Sequence, residues 1–362
     1  MVHASRSRSA LIATIALLAA TVAGVSVAAA AQSHKRRPAP IVFGIYPGGG
    51  AGTVGPSGRT VPEDPARRLA ALEELRGGNR PFVLHLYDAY TEPSDAGAVP
   101  GWLAAEIAGY SAAGFGIELV LRYRSPDDVG GFIGFVRARV RQLGAQLTSL
   151  QITNEANVHG APDAADGAYP GVREALVRGV VAASDEARRE RLGVKVGFYW
   201  AYQHGRAETA FFSHLRTAGG RKFARAVDWV GVDAYPGTWG PRLAAGDLGT
   251  AVRAATIDAM RTLRRTLLPR AELSKVALHF SESGYPTGPG RTEAMQQAVM
   301  RATLQAIADT RATYRVTDFR WFDLRDADSA GASFESRYGI TNDDYSPKAA
   351  FATYRDLIAR LG

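Results

Sequence analysis

The sequence predicts a single (β/α)8 barrel, an α/β fold in which eight parallel strands alternate with eight helices. Two observations point to it. From residue 41 onward, short apolar segments alternate with amphipathic segments, and eight such pairs fit within about 320 residues, which is the size range of this fold. The apolar segments are also continuous, as in parallel strands that are covered on both faces.

The first predicted strand is Ile41–Tyr46, and Leu69, Leu72 and Leu75 recur at helical spacing in the helix that follows. The other strands, each an apolar run, are Phe82–Tyr87, Ile117–Tyr123, Leu147–Thr153, Val194–Trp200, Val227–Val232, Lys275–Phe280 and Thr317–Phe322. The predicted helices are Pro65–Leu75, Trp102–Ala112, Asp127–Gly144, Val172–Arg189, Thr209–Ala218, Thr250–Leu268, Thr292–Thr310 and Lys348–Leu361.

An open, doubly wound sheet is the main alternative fold. It is disfavoured because no G-x-G-x-x-G follows the first strand, where Gly48–Gly50 lacks that spacing. The glycine-rich stretch Gly48–Gly58 and the long segment Ala156–Gly171 are expected to be loops that shape a cleft.

Composition excludes several classes of function. The chain has no cysteine, so disulfide scaffolds, iron–sulfur clusters and cysteine nucleophiles are excluded. The net charge is +8, but residues 1–40 hold five basic residues and no acidic one, and removing these five leaves +3. We therefore expect no nucleic-acid partner. No H-E-x-x-H or G-x-S-x-G motif is present, and we expect neither a metal nor a cofactor.

Residues 1–31 form a predicted secretory signal peptide. A short segment with two arginines precedes an apolar stretch, Ala10–Val27, and the small residues Ala28–Ala31 suit cleavage. Residues 32–40 then form a linker, and 41–362 the barrel. The apolar stretch is about long enough to span a bilayer, so an uncleaved anchor is the alternative. We expect a secreted protein, with attachment to the cell wall left open, and no stable membrane association after cleavage.

In this fold, functional side chains lie at the C-terminal ends of the strands. Glu155 follows strand 4 and Glu282 follows strand 7, and such charged groups are rarely buried without a partner or a function. The other strand ends suit a carbohydrate, because aromatic rings stack on sugar C–H faces and polar groups bind hydroxyls. They carry His85, Tyr87, Arg122, Arg124, Asn154, Trp200, Tyr202, His204, Asp233, Tyr235, Trp321 and Asp323.

The Asn-Glu after strand 4, the Tyr after strand 6, the Glu after strand 7 and the Trp after strand 8 resemble the clan A glycoside hydrolases. These are retaining enzymes built on a (β/α)8 barrel. The resemblance implies that Glu155 is the general acid/base and Glu282 the nucleophile. It also implies that Asn154 contacts the sugar 2-hydroxyl and that Tyr235 donates a hydrogen bond to Glu282. Trp321 would form the floor of the subsite that holds the reacting sugar.

The sequence departs from the clan pattern at two positions. Some families carry His where this chain has Asp233, and Thr is frequent where it has Ser281. An Arg is expected near the nucleophile, and Arg122 and Arg124 are both candidates.

We expect Arg122, His85 and Trp200 to bind substrate as well. The predicted function is a secreted, monomeric, retaining glycoside hydrolase acting on a poly- or oligosaccharide. Retention predicts carboxyl groups of Glu155 and Glu282 about 5–5.5 Å apart. An inactive carbohydrate-binding barrel and a cell-wall transglycosylase that uses the same two acids are the alternatives. The sugar, the linkage and the choice between endo and exo action stay open.

Overall fold

Eight parallel strands close into a barrel in which every strand pairs with its sequence neighbours and β1 pairs with β8. The computed structural model describes residues 39–49 and 60–362, so the predicted signal peptide and most of Gly48–Gly58 lie outside the described residues. The strands are β1 (Val42–Ile45), β2 (Phe82–Tyr90), β3 (Gly116–Tyr123), β4 (Ser149–Ile152), β5 (Lys195–Ala201), β6 (Trp229–Asp233), β7 (Ala277–Ser283) and β8 (Val316–Trp321).

A helix follows each strand and covers the outside of the barrel. The helices are α1 (Pro65–Arg76), α2 (Gly101–Ala112), α3 (Val129–Leu143), α4 (Val172–Arg189), α5 (Arg206–Ala226), α6 (Leu248–Thr262), α7 (Glu293–Tyr314) and α8 (Ala349–Leu361). The closed sheet confirms the predicted barrel and excludes the open doubly wound alternative. Within 39–49 and 60–362, no helix is both long and apolar enough to cross a membrane.

Several boundaries differ from the prediction. β2 continues to Tyr90, and β7 runs through Glu282 to Ser283, so the second acid lies on the strand rather than after it. α5 is longer than predicted and is interrupted at Gly220, whose φ of 53° a glycine adopts without strain. α6 ends at Thr262 and continues as irregular helical turns toward Pro269, whose missing N–H disfavours a regular helix.

Side chains cap four helices by accepting hydrogen bonds from backbone N–H groups of the first turn, which otherwise lack partners. These caps are Asp64 for α1, Asp128 for α3, Asp247 for α6 and Thr292 for α7. The start of each helix lies near the C-terminal end of the strand before it, so these caps help to position the loops of that face.

A tight contact between β5 and β6 yields a stability prediction. A Cβ on Gly197 would lie 2.3 Å from the ring of Trp229 and 2.5 Å from its carbonyl oxygen. The indole has little room to move because it stacks on His279 with centroids 4.3 Å apart. We expect Gly197→Ala to lower the free energy of unfolding by roughly 1–3 kcal/mol, measured by urea denaturation.

Gly134, on the exposed face of α3, is the matched control. No atom lies within 4 Å of a Cβ added there, and alanine favours a helix, so Gly134→Ala should keep or raise stability. Similar losses in both variants would contradict the packing argument.

Candidate active site

A cavity of about 760 Å³ opens at the C-terminal end of the barrel. Its lining brings together five of the eight residues to which the sequence analysis gave a catalytic or substrate-binding role, and they come from four different strand ends. They are Arg122, Asn154, Glu155, Tyr235 and Glu282. The segment Ala156–Gly171 also contributes to the lining, through Val158, Ala161, Asp163 and Ala164.

Glu282 is almost completely buried and is surrounded by hydrogen-bond donors. Tyr235 donates to Oε2 at 2.9 Å, as the resemblance implied, and Tyr199 approaches Oε1 at 3.1 Å. Tyr87 donates a further short hydrogen bond to Oε1, and His85 Nε2 lies 3.5 Å from the same oxygen. Burial alone would raise the pKa of Glu282, but the charge and hydrogen bond of His85 and the tyrosine hydroxyls outweigh it and lower the pKa.

The basic side chain next to Glu282 is therefore His85, which we expected to bind substrate, and not Arg122 or Arg124. The ring is buried beneath the cavity, so it contacts the carboxylate rather than a substrate. Its Nδ1 lies 2.9 Å from the buried carboxylate of Glu118. Burial would lower the pKa of His85, but its hydrogen bonds to Glu118 and Glu282 raise it above its usual value. His85 thus takes the place next to the nucleophile that the clan pattern gives to an arginine.

Glu118 in turn belongs to a group of charged side chains inside the barrel. Arg320 Nε lies 3.5 Å from its carboxylate and His279 Nδ1 lies 3.7 Å away. Arg320 also pairs with Asp318 at 3.0 Å. Burial would raise the pKa of Glu118, yet the charge of Arg320 and the hydrogen bonds of His279 and His85 hold it well below its usual value. A continuous row of alternating charges therefore leads from Asp318 to the candidate nucleophile.

Arg122 and Arg124 line the cavity but do not bond Glu282. Nε of Arg122 pairs with the buried carboxylate of Asp166 at 3.1 Å, and Arg124 donates to the carbonyl oxygens of Pro162 and Asp163. These acceptors all belong to the segment after β4. Both arginines therefore hold that segment against β3 instead of supporting the nucleophile.

Glu155 lies opposite, after β4, in a strained turn. Its φ of 45° and the φ of 63° at Thr153 are unusual for residues other than glycine, and such strain is concentrated at functional sites. Burial raises the pKa of Glu155, and the negative charge of Glu282 adds to that shift. The two carboxyl groups therefore have pKa values displaced in opposite directions.

Asp233, at the end of β6, is the third carboxyl group of the site. It is 2% exposed, and neither of its oxygens has an amide, hydroxyl or cationic donor among the described residues. It faces Glu155, with which a hydrogen bond forms only when one of the two carries a proton. Burial and the charges of Glu155 and Glu282 raise the pKa of Asp233 well above its usual value.

This buried carboxyl group predicts a pH-dependent cost in stability. An acid whose pKa is higher in the folded than in the unfolded protein loses stability as the pH rises above about 3.9, the value for an unfolded Asp. Asn cannot ionise, so Asp233→Asn should raise the unfolding temperature at pH 7, with a gain that shrinks toward pH 4. Thermal unfolding at several pH values measures this.

The exposed Asp356→Asn serves as the control and should show no such trend. Destabilisation of Asp233→Asn by the same amount at every pH would contradict the prediction.

Asn154 is held by three neighbours. Its Nδ2 donates to the carbonyl of Ala164 at 2.8 Å, its Oδ1 accepts a short hydrogen bond from Tyr199, and its backbone N–H donates to Asp166. Asp166 also accepts the N–H of Tyr123 at the end of β3. The side chain of Asn154 is thus fixed at the cavity wall next to Glu155.

Two predicted tryptophans do not reach the cavity, and both errors have one cause. Side chains alternate along a strand between the barrel interior and the surrounding helices. On β5, Tyr199 faces the barrel interior. Trp200 is fully buried on the outer face of the barrel and donates a hydrogen bond to Glu208. On β8, Trp321 is fully buried near Tyr354 of α8, at 6.4 Å between ring centroids. Neither Trp200 nor Trp321 lines the site.

Phe322 lies at the position where Trp321 was expected to form the sugar platform. Its ring lines the cavity and stacks on Tyr46 with centroids 5.5 Å apart and an angle of 19°. Tyr235 and Tyr338 contact it edge-on, at 6.0 and 5.4 Å. The residue after the strand, rather than its last residue, therefore presents an aromatic face to the cavity.

The described residues contain no group of three or more His, Asp or Glu side chains arranged to hold a metal ion.

Neither a protein-family model nor a curated protein sequence matches the chain. Solved structures do. A family 39 glycoside hydrolase from the gut symbiont Bacteroides cellulosilyticus WH2 superposes with a TM-score of 0.58 at 15% identity, over 88% of this chain and 64% of that one. This chain thus spans just under two thirds of that protein's length.

Two further structures are similar over nearly their whole length. A β-glucosidase from Thermotoga maritima in complex with deoxynojirimycin gives a TM-score of 0.61 at 10% identity, over 90% of this chain and 99% of that one. A fungal β-1,4-galactanase superposes with a TM-score of 0.55 at 14% identity, over 88% of this chain and 100% of that one. At these identities the similarity is one of fold. The chain has the (β/α)8 fold of known glycoside hydrolases, as the resemblance of its strand ends implied.

Proposed function

We propose that this protein is a secreted, retaining glycoside hydrolase in which Glu282 is the nucleophile and Glu155 the general acid/base. The observation that carries the proposal is the opposite tuning of two carboxyl groups in one cavity. Glu282 accepts from Tyr87 and Tyr235 beside a buried histidine, with the hydroxyl of Tyr199 3.1 Å away, whereas Glu155 faces a second carboxyl group and no cationic side chain among the described residues bonds it directly. Pairs of acids tuned apart in this way identify acid and base roles.

The first step of the reaction follows from the opposite displacement of these two pKa values. Ionised Glu282 attacks the anomeric carbon, while protonated Glu155 gives its proton to the departing glycosidic oxygen. This forms an ester between Glu282 and the sugar and releases the leaving group. In the second step Glu155, now a carboxylate, takes a proton from water, and the water oxygen displaces Glu282 from the anomeric carbon. Two displacements leave the configuration unchanged.

The neighbouring side chains suit the binding of one sugar between these acids. Phe322 offers an apolar face for stacking. Asn154 and Arg122 offer N–H groups for hydroxyls beside Glu155. Tyr235 and Tyr87 keep Glu282 oriented and ionised, because their hydroxyls donate hydrogen bonds to its carboxylate oxygens.

An inactive carbohydrate-binding barrel is less well supported. Binding alone gives no reason to surround one buried carboxylate with four polar partners and to raise the pKa of a second acid nearby. Such buried groups cost stability, and they are concentrated at functional sites.

Turnover on a panel of nitrophenyl glycosides and polysaccharides tests the proposal. The panel should include β-glucosides and β-1,4-galactan, the substrates named for the similar structures. We expect measurable hydrolysis of at least one, and NMR of the fresh product should show the anomer of the substrate. An inverted first product would overturn the mechanism, and longer products from an added acceptor sugar would indicate transglycosylation.

Secretion is part of the proposal and is supported by the order of segments in residues 1–31. N-terminal sequencing of protein recovered from the medium should begin near Gln32. Protein that is retained in the membrane and starts at Met1 would instead support the anchor.

A further inference from the structure

Two tryptophans are the exposed large hydrophobic side chains of the described part of the chain. Trp102 is 62% exposed and Trp239 is 50% exposed, while Trp200, Trp229 and Trp321 are buried. Both exposed rings line the candidate active-site cavity. Aromatic surface that is exposed inside a cavity is typical of a ligand-binding site.

The two rings lie on opposite sides of the barrel. Trp102 is near the start of α2, which follows β2, and Trp239 is in the loop after β6. In a ring of eight strands, β2 and β6 are four positions apart and face each other. β4, which leads to Glu155, and β7, which carries Glu282, lie on either side of the line that joins them. A chain running from one tryptophan to the other therefore passes between the two acids.

The cavity lining continues outward in both directions. Beyond the acids it includes Asp95, Pro100 and Glu106 on the side of Trp102. On the side of Trp239 it includes Gly240 and Tyr338. A volume of about 760 Å³ is in the upper part of the roughly 300–1,000 Å³ range of ligand pockets.

The ring of Trp239 is held in place before any ligand binds. Its Nε1 donates to the hydroxyl of Tyr338 at 2.7 Å, and its ring packs on Phe334 with centroids 5.7 Å apart. Tyr338 in turn contacts Phe322. A side chain that is already ordered loses little entropy on binding, so this ring is suited to be a platform.

The charge of the lining restricts the ligand further. Eight acidic residues line the cavity, against two arginines. Two of the acids and one arginine have partners, Asp88 with Arg139, Glu106 with Arg68 and Arg122 with Asp166, and the pKa values of Glu155 and Asp233 are raised. Four acids and one arginine then remain. A negative cavity disfavours acidic sugars such as uronates, because like charges repel across the interface. The lining thus suits a neutral glycan.

We propose that Trp102 and Trp239 are outlying sugar platforms on the two sides of the cleavage point, and that the substrate is a neutral glycan chain cut at an internal bond. This inference rests on the proposed function. It separates an endo-acting enzyme from one that removes single terminal sugars.

Binding to a variant without turnover tests the platforms separately from catalysis. Glu282→Gln is the background, and native electrophoresis in gels containing laminarin, β-1,4-galactan or hydroxyethylcellulose measures retention. We expect Trp102→Ala and Trp239→Ala each to weaken retention on a polymer that binds by about 3- to 10-fold, the scale of one aromatic contact. The double variant should approach the product of the two losses, because the sites are far apart.

Trp102→Phe and Trp239→Phe are the matched controls and should keep most of the retention. Melting curves show whether each variant is folded. If Glu282→Gln does not fold, Glu155→Gln serves as the second background. Polygalacturonate should retain the protein less than the neutral polymers do, and stronger retention would overturn the charge argument.

Catalysis supplies the second measurement. With active enzyme, the loss of kcat/KM in the alanine variants should be larger on polymer than on a nitrophenyl monoglycoside, and early products should be a mixture of oligosaccharides. Unchanged retention in either alanine variant, or release of monosaccharide alone from the start, would overturn the inference. Retention that depends on both tryptophans without turnover of any glycan would instead leave the platforms standing and overturn the proposed hydrolase.

Discussion

Glu282→Gln should abolish turnover of every glycoside that the protein cleaves, with a loss on the order of 10⁴-fold or more, as expected when a covalent nucleophile is removed. The amide cannot form the ester with the sugar, and the tyrosines that bond the carboxylate cannot compensate for it. Initial rates on activated nitrophenyl glycosides and on polysaccharides measure the loss, which should not depend on the leaving group.

Glu174→Gln is a matched control, because that glutamate is exposed on α4 and pairs with Arg178. Azide gives a sharper test of the role. In Glu282→Ala, azide can take the place of the carboxylate, and a single displacement yields a glycosyl azide of inverted configuration. If Glu282→Ala with azide yields the retained azide instead, Glu282 is not the nucleophile.

Glu155→Gln should have an effect that depends on the leaving group. Substrates with poor leaving groups need a proton from Glu155 and should lose about 10²- to 10⁴-fold in kcat/KM, the usual contribution of general acid catalysis. Substrates with good leaving groups, such as dinitrophenyl glycosides, need little protonation and should lose far less in the first step. A plot of log kcat/KM against leaving-group pKa should therefore steepen in the variant.

The pH dependence gives an independent check. The lowered pKa of Glu282 sets the acid side of the profile, and the raised pKa of the general acid, Glu155, sets the alkaline side. Activity should fall at pH values below the pKa of Glu282 and above the pKa of Glu155. Glu155→Gln should lose the alkaline fall on activated substrates. Equal losses for all leaving groups, with the alkaline fall preserved, would assign the acid role to another residue.

Much of the site could be predicted because a parallel barrel collects the ends of its strands at one face. Glu155 and Glu282 are far apart in sequence, yet each follows or ends a recognisable apolar run, and both line the cavity. The errors at Trp200 and Trp321 arose because a continuous apolar strand does not reveal which of its alternating side chains faces inward. A shift of one residue separates Trp321 from Phe322, and that shift decides which ring reaches the cavity.

Contacts across the barrel could not be predicted from one sequence. His85, Glu118 and Arg320 come from β2, β3 and β8, and only the closed sheet brings β8 next to β1 and near the others. Asp233 was visible as a departure from the clan pattern, but its lack of donors and its approach to Glu155 depend on every neighbouring strand. Burial and charge at such positions are properties of the assembled fold.

The bonds of Asp166 have a consequence for how the site moves. One buried carboxylate accepts the amide hydrogens of Tyr123 and Asn154 and pairs with Arg122, so it joins the end of β3, the turn before Glu155 and the segment after β4. These three parts are therefore tied to one another. Fluctuations that would swing the turn before Glu155 outward break bonds to Asp166. The reach of Glu155 toward a substrate is thus limited by a cooperative local unfolding event rather than by the freedom of a surface loop.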